Sequence, residues 1–346
     1  MADGARPEYA PQIADPIIIL PYVSYGTPRK LTLRGRVLED EGFRSAADAD
    51  GRWRNLIQFT RRLESDEVPG ARLRAGKTHA VTDREGYFRL ELEGSFRPGW
   101  NEVGLELLHP APAQTTARVL VPAKQARFGV ISDIDDTVVT SNVTRKLRMI
   151  MTVALTNART RKPFKGVAAF YRALHAGVNP VFYVSKSPWN LYAPIVEYLE
   201  VQQLPEGPLM LRDFGFRAEK AHKRKAIEEI LTTYPKLQFV LSGDSGEQDP
   251  EIYADIVRRF PQRVRAIYIR SVNRKRISQI QQLAIEVAKT GCQLVLADDA
   301  ETAAVHAAAE GLIQASDLRA VRSERISDKA DSQSASKAAV SSGGLK

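Results

Sequence analysis

The sequence predicts a mixed α/β chain in two parts, a β-sandwich of short strands followed by a parallel sheet flanked by helices. Residues 17–122 hold short apolar or alternating runs divided by turn signals. After Pro122 such runs alternate with helical stretches, the pattern of a mostly parallel sheet. The length of 346 residues leaves room for both parts and for a sizeable core.

In the first part the runs are Ile17–Ser24, Leu31–Leu38, Tyr87–Leu92, Glu102–Leu108 and Ala117–Val121. Arg84-Glu85-Gly86, Pro98-Gly99 and His109-Pro110-Ala111-Pro112 supply the turns between them. Only Trp53–Leu63 carries helical periodicity there. In the second part strands are expected at Phe128–Ser132, Val181–Val184, Leu209–Leu211, Phe239–Leu241, Val264–Ile269 and Gln293–Ala297. Helices are expected at Val167–His175, Trp189–Val201, Lys220–Thr232, Pro250–Phe260, Ile277–Lys289 and Thr302–Ile313. Ser187 as cap and Pro188 in the first turn would open the second of these helices. The expected division is a polar segment over 1–16, the β-sandwich over 17–122, an α/β region over 123–315 and a disordered tail over 316–346. That tail is rich in Ser, Ala and Lys and has no aromatic residue.

Composition excludes several classes. Hydrophobic residues at 43% and charged residues at 26% exclude fibrous and globally disordered chains. The single cysteine, Cys292, excludes an intramolecular disulfide framework and a multi-cysteine metal site. No apolar run approaches the ~20 residues of a membrane-spanning helix. The polar, Pro-rich start lacks a signal-peptide pattern. The expectation is a cytoplasmic protein, with peripheral membrane contact open.

Four motifs carry chemistry. Ser132-Asp133-Ile134-Asp135-Asp136-Thr137 follows the strand Phe128–Ser132 directly. Carboxylates crowded beyond a buried strand repel one another unless a cation neutralises them. Ligands of α/β proteins also gather at the C-terminal edge of the sheet. The second motif, Gly243-Asp244-Ser245-Gly246-Glu247-Gln248-Asp249-Pro250, places carboxylates five positions apart on a turn that enters a helix. The third is Ser185, a hydroxyl just after the strand Val181–Val184. The fourth is a basic cluster at a helix start: Lys220, His222, Lys223 and Lys225. Each alone has an ordinary reading as a solvated turn, a helix cap or a charged helix face. Asp249 also suits a cap for the helix that begins at Pro250. In this order, each beside a strand end, the motifs suit a divalent, oxygen-liking ion and a phosphoryl group.

The constellation resembles the haloacid dehalogenase (HAD) superfamily, with its parallel Rossmann-like sheet. Residues 128–270 look more closely like the catalytic domain of the actin-patch-protein-1 type of phosphatidate phosphatase. The phrases SDIDDTVVTSNV, FYVSKSPWNLY and FVLSGDSGEQDPEIY carry that likeness. The resemblance implies Asp133 as nucleophile through an aspartyl-phosphate, and Asp135 as general acid and then base. It implies Mg²⁺ held by Asp133, the Asp135 carbonyl and Asp244, with Asp249 as a further ligand or close by. Ser185 and one lysine would bind phosphoryl oxygens. Lys223 is preferred to Lys220 because His222-Lys223 through Ile227 fits the family's His-Lys-x-x-x-Ile pattern. The implied substrate is phosphatidate; another phosphomonoester, or a non-catalytic lipid- or protein-binding module, is the alternative.

Several other residues have plainer readings. Asp298-Asp299 suits a cap for the helix that follows, and Cys292 a structural role. Trp189 and Tyr192 stand near Ser185, but core packing explains them as well. The five histidines lack ligand-like spacing.

The net charge of +9 has a definite location. Residues 137–196 hold nine cations and no Asp or Glu, so the remainder of the chain balances at 41 of each sign. Within this stretch an apolar run, Leu147–Leu155, lies between Arg145 and Arg159, inside a flap or cap insertion expected over 138–165. A basic segment over 145–165 with an apolar face suits peripheral contact with an anionic lipid surface. It lacks the interleaved aromatic residues of a nucleic-acid groove, which argues against that partner.

Overall fold

A computed structural model describes residues 16–39, 67–134, 166–212 and 221–326. The periodic stretch Trp53–Leu63, the expected insertion over 138–165 and Asp135 lie outside the described residues, as does Lys220.

Among the described residues the first part forms eight strands: β1 (Ile17–Pro21), β2 (Ser24–Gly26), β3 (Lys30–Glu39), β4 (Arg72–Ala75), β5 (Thr78–Val81), β6 (Tyr87–Glu93), β7 (Gly99–His109) and β8 (Ala113–Val121). The strands are linked in one hydrogen-bonded network in the order β1-β3-β2-β8-β7-β4-β5, with β6 branching from β3. The pairings are antiparallel except that β2 runs parallel to β8. Leu31 and Leu33 of β3, Leu73 of β4, Leu90 of β6 and Leu105 of β7 share one core. The alternate-residue spacing of each strand sends these side chains to the same side.

The second part is a mixed α/β arrangement with a six-stranded sheet, β9 (Gly129–Asp133), β10 (Val181–Pro188), β11 (Leu209–Arg212), β12 (Phe239–Asp244), β13 (Val264–Arg270) and β14 (Gln293–Ala297). Its order is β11-β10-β9-β12-β13-β14, and every pairing is parallel. Its helices include α1 (Val167–His175), α2 (Tyr192–Val201), α3 (His222–Thr233), α4 (Asp249–Arg259), α5 (Ile277–Ala288) and α6 (Ala300–Ala309). Adjacent strand residues enter opposite cores. Val130, Val181, Tyr183, Val240 and Tyr268 pack with α1, α2 and α6. Ile131, Phe182, Val184, Leu241 and Ile267 pack with α3, α4 and α5. A sheet covered on both faces needs apolar side chains in both directions, which is why these strands read as unbroken apolar runs.

Topology places the site. The chain leaves β9 toward β10 and β11, then returns to the other side of β9 for β12 to β14. A crevice forms at the C-terminal ends where the winding reverses, between β9 and its two neighbours.

Two boundaries differ from the sequence reading for physical reasons. The strand of Ser185 extends to Pro188, a 3₁₀ turn covers Trp189–Leu191, and α2 begins only at Tyr192 without a side-chain cap. A helix starting at Trp189 would need an N–H at position 194, and Pro194 has none; started at Tyr192, the helix keeps Pro194 in its first turn. Residues 317–326, within the expected tail, are helical. Val321 is fully buried, Glu324 accepts from Ala169 N at 2.8 Å, and Arg325 pairs with Asp299 at 2.9 Å.

The two sheets meet at the elements that carry Ser185 and Lys223. Tyr22 stacks on Trp189, with ring centroids 4.8 Å apart and planes within 2°. The Val23 amide donates to the Tyr192 hydroxyl at 2.7 Å. On α3, Glu229 accepts from Tyr25 Oη at 2.5 Å and from Arg34 at 3.1 Å. Trp189 and Tyr192 are thus packed at this junction, as their core reading expects. Among the described residues no helix is long and apolar enough to cross a membrane.

Candidate active site

Asp133 ends β9, where Val184 of β10 pairs with it in register. Ser185 is the next residue on β10, 1% exposed, and its Oγ accepts the Ser187 N–H at 3.0 Å. On the other side of β9, Ser242 of β12 pairs with Ser132, so the Asp244 turn starts level with the Asp133 end. The register therefore brings three of the sequence motifs to one edge.

The fourth arrives from below the sheet. Lys223 lies in the first turn of α3 and shares a stripe with Ala226, Ile227, Ile230 and Leu231, all buried. That spacing is the inward face of a helix, so Lys223 is directed into the protein. Its side chain is 1% exposed, and Nζ lies 2.8 Å from Asp133 Oδ1 and 2.6 Å from Asp249 Oδ1. A buried ammonium is tolerated only with carboxylates in hydrogen-bonding reach, and here it has them.

Asp249 is fully buried at the start of α4. Its expected role as a cap is not the one it takes, since Gln248 holds the cap position. The carboxylate turns back instead, accepting from Lys223 through Oδ1 and from the Asp244 amide through Oδ2 at 3.1 Å. Gly243 makes this approach feasible: a Cβ there would stand 2.3 Å from Asp249 Oδ2.

Asp244 stands on the same edge, but its carboxylate faces its own turn. Oδ1 accepts from the Gly246 and Glu247 amides at 2.7 and 3.3 Å, and Oδ2 lies 3.5 Å from Arg270. Among the described residues the acidic group that gathers around Lys223 consists of Asp133, Asp249 and Glu247, with one oxygen from each within 4.8 Å of the others. Glu247 is the member that the sequence reading passed over. Its Oε2 accepts from Lys186 at 2.6 Å and from Lys223 at 3.2 Å. Burial pushes the Glu247 carboxyl up, but the bonds and charges of the two lysines outweigh it and hold the group below the ordinary carboxylate range. Three clustered carboxylates facing one buried lysine suit a hard cation with oxygen ligands.

The Asp244 turn is braced from behind. Ser245, 1% exposed, accepts the Val272 and Asn273 amides on Oγ, each at 2.8 Å, and Arg276 reaches the Ser245 carbonyl at 2.9 Å. Beneath Asp133 the Tyr171 hydroxyl bonds both Ser132 and Ser242, at 2.7 and 2.8 Å. A cavity of about 120 Å³ opens beside Asp133 on the α1 and α6 face. Its lining includes the polar Asp244 and Arg270 and the apolar or aromatic Phe170, Tyr198 and Ala303.

Elsewhere the plainer readings apply. Asp299 caps α6, accepting the Thr302 amide at 2.9 Å. Cys292 is a buried free thiol whose pKa is pushed up to about 12 by burial.

Fold and site define an α/β protein with a carboxylate–lysine cluster and a buried serine at the C-terminal edge of a parallel sheet. Over residues 128–271 the chain matches the family model described as phosphatidate phosphatase APP1, catalytic domain. It is 30% identical over 219 residues to phosphatidate phosphatase APP1 of Saccharomyces cerevisiae, covering 59% of this chain and 37% of that protein. It is 31% identical over 152 residues to an uncharacterized protein of Schizosaccharomyces pombe, covering 42% of this chain and 25% of that one. The chain thus spans well under half the length of these two relatives. A Photobacterium 2,6-sialyltransferase aligns at 7% identity with a TM-score of 0.25, over 77% of this chain and 47% of its own. The PilB minor pilin of Streptococcus sanguinis aligns at 9% with a TM-score of 0.28, over 70% of this chain and 87% of its own. Similarities that low carry nothing about fold or function.

Proposed function

We propose that this chain is a phosphatase of the haloacid dehalogenase type that hydrolyses phosphomonoesters with Mg²⁺ as cofactor, and that phosphatidate is its substrate, giving diacylglycerol and orthophosphate. The observation that carries the reading is the buried Lys223 ammonium 2.8 Å from Asp133 at a strand end, within the segment that matches a phosphatidate phosphatase catalytic domain. The preference for phosphatidate rests on that family and on the yeast relative.

In this reading Asp133 attacks phosphorus and carries the phosphoryl group as an acyl phosphate. Asp135 gives a proton to the departing alkoxide and then takes one from the attacking water, which releases orthophosphate and restores Asp133. Ser185 and Lys223 hold the non-transferring oxygens. Mg²⁺, when bound, offsets the charge between carboxylate and phosphoryl oxygens that otherwise keeps the two apart. Asp133, the Asp135 carbonyl, Asp244 and Asp249 would hold it, and of these Asp133 and Asp249 stand together in the carboxylate cluster. The β region over 17–122 and the α/β region over 123–315, extended by the helix at 317–326, form the two domains, with a cap over 138–165. The basic segment over 145–165 serves peripheral contact with an anionic membrane from the cytoplasm.

A phosphate-release screen tests this, with phosphatidate vesicles competing against nucleotides, sugar phosphates and end-phosphorylated DNA. Preferred turnover of the vesicles, abolished by EDTA, is the expected result. Preference for a soluble phosphomonoester removes the lipid assignment, metal-independent turnover removes Mg²⁺, and the absence of any release leaves a binding module.

A further inference from the structure

The lysine after the phosphate-binding serine has a partner that the proposed reaction does not use. Lys186 Nζ lies 2.6 Å from Glu247 Oε2, and the same oxygen lies 3.2 Å from Lys223 Nζ. Glu247 thus bridges Lys186 and Lys223, with an oxygen inside the 4.8 Å cluster that includes Asp133. A phosphoryl group poised for attack by Asp133 puts phosphorus about 3–3.5 Å from the attacking oxygen. Its non-transferring oxygens then fall within hydrogen-bonding reach of Lys223, where the Glu247 carboxylate sits. Both are oxyanions that seek the same ammonium donors, and like charges at that separation repel.

We propose that Glu247 is an internal anion that occupies the phosphoryl subsite and must be displaced by the incoming phosphate. The inference rests on the reading of this edge as a phosphoryl site. Glu247 is well placed for such an exchange. It sits on the turn between β12 and α4, its side chain is 26% exposed, and Asp249, which shares Lys223 with it, is sealed inside. Because the carboxylate already satisfies two ammonium groups, an entering ligand must offer them more charge than a single negative one. Glu247 thereby selects doubly charged phosphomonoesters over singly charged diesters.

Calorimetric titration of the full chain with orthophosphate, with and without Mg²⁺, tests this in wild type, Glu247→Gln and Glu247→Ala. Both variants are expected to bind orthophosphate about tenfold more tightly, the effect of removing one competing charge-assisted bond. Dimethyl phosphate, a singly charged diester, is expected to gain at least as much. Thermal unfolding identifies which variant is folded, and either one suffices. Unchanged or weakened phosphate binding overturns the proposal. So does a loss of Mg²⁺ affinity, read by titrating Mg²⁺ alone into the same three proteins, with phosphate affinity unchanged, which makes Glu247 a metal ligand instead. Phosphate that binds to none of the three proteins overturns the phosphoryl-site reading together with this one; phosphate that binds all three equally overturns this one alone.

Discussion

The Lys223 ammonium stands 2.6 Å from the Asp249 carboxylate, and both side chains are closed off from solvent. The pair ties the first turn of α3 to the first turn of α4, across the edge where Asp133 ends its strand. Buried pairs of this kind add little net stability as a whole, but removing one partner strands the other charge. Lys223→Met leaves Asp133 and Asp249 without their shared cation, and a loss of about 3–5 kcal/mol in urea unfolding is expected. A loss under about 1 kcal/mol, the scale of an exposed pair, contradicts the burial of this group.

Gly243 is the second sensitive point. The space for a Cβ there is filled by Asp249, whose Oδ2 would lie 2.3 Å away. Gly243→Ala therefore forces the carboxylate off Lys223 and the Asp244 amide. Overpacking of this kind costs about 1–3 kcal/mol, measurable by chemical denaturation. Phosphate release is expected to fall by more than that destabilisation explains at temperatures where the variant is fully folded.

The junction of the two sheets gives a third. Tyr22 is 3% exposed and lies flat on Trp189, four residues beyond Ser185. Tyr22→Ala removes a buried aromatic side chain, with an expected loss of about 3–5 kcal/mol, while Tyr22→Phe keeps the stack and most of the stability. Thermal melts of the two variants separate these outcomes.

Cys292 provides a pH-dependent test. Its thiol is raised from the ordinary 9.0 to about 12 by burial. The folded state therefore favours the neutral thiol. Its contribution to stability is complete below pH 9 and is lost as pH climbs toward 12. In the native protein at neutral pH, Cys292 is expected to resist a disulfide reagent such as DTNB and to react fully once unfolded. Rapid reaction of the native thiol contradicts its burial.

Much of the architecture was legible because both faces of the parallel sheet are covered, so the middles of its strands are largely apolar, and helices separate them in the chain. Strands β4 and β5 escaped notice. RLRA and THAV are short, alternate with polar side chains and sit at the open end of the first sheet, where packing leaves little signature. The edge motifs were readable from Asp133, Ser185 and Asp244 because each follows a strand. Lys223 was readable too, since its helical stripe continues through Ala226, Ile227, Ile230 and Leu231. Glu247 was not. Nothing in GDSGEQD separates a solvated turn residue from one that meets Lys186, 61 positions earlier in the chain. That meeting exists only once β10 and β12 flank β9. The direction of Asp244 escaped for a similar reason, because Arg270 reaches it from the neighbouring strand.

The proposed chemistry depends most on Asp133 as the group that receives the phosphoryl. Orthophosphate release from phosphatidate vesicles with Mg²⁺ present, compared between the wild type and a folded Asp133→Asn variant, tests it most directly. The wild type is expected to turn over and the variant to fall by about a thousandfold or more, to the level of buffer alone. Turnover by Asp133→Asn within tenfold of wild type (about 1.4 kcal/mol in barrier height) contradicts the assignment.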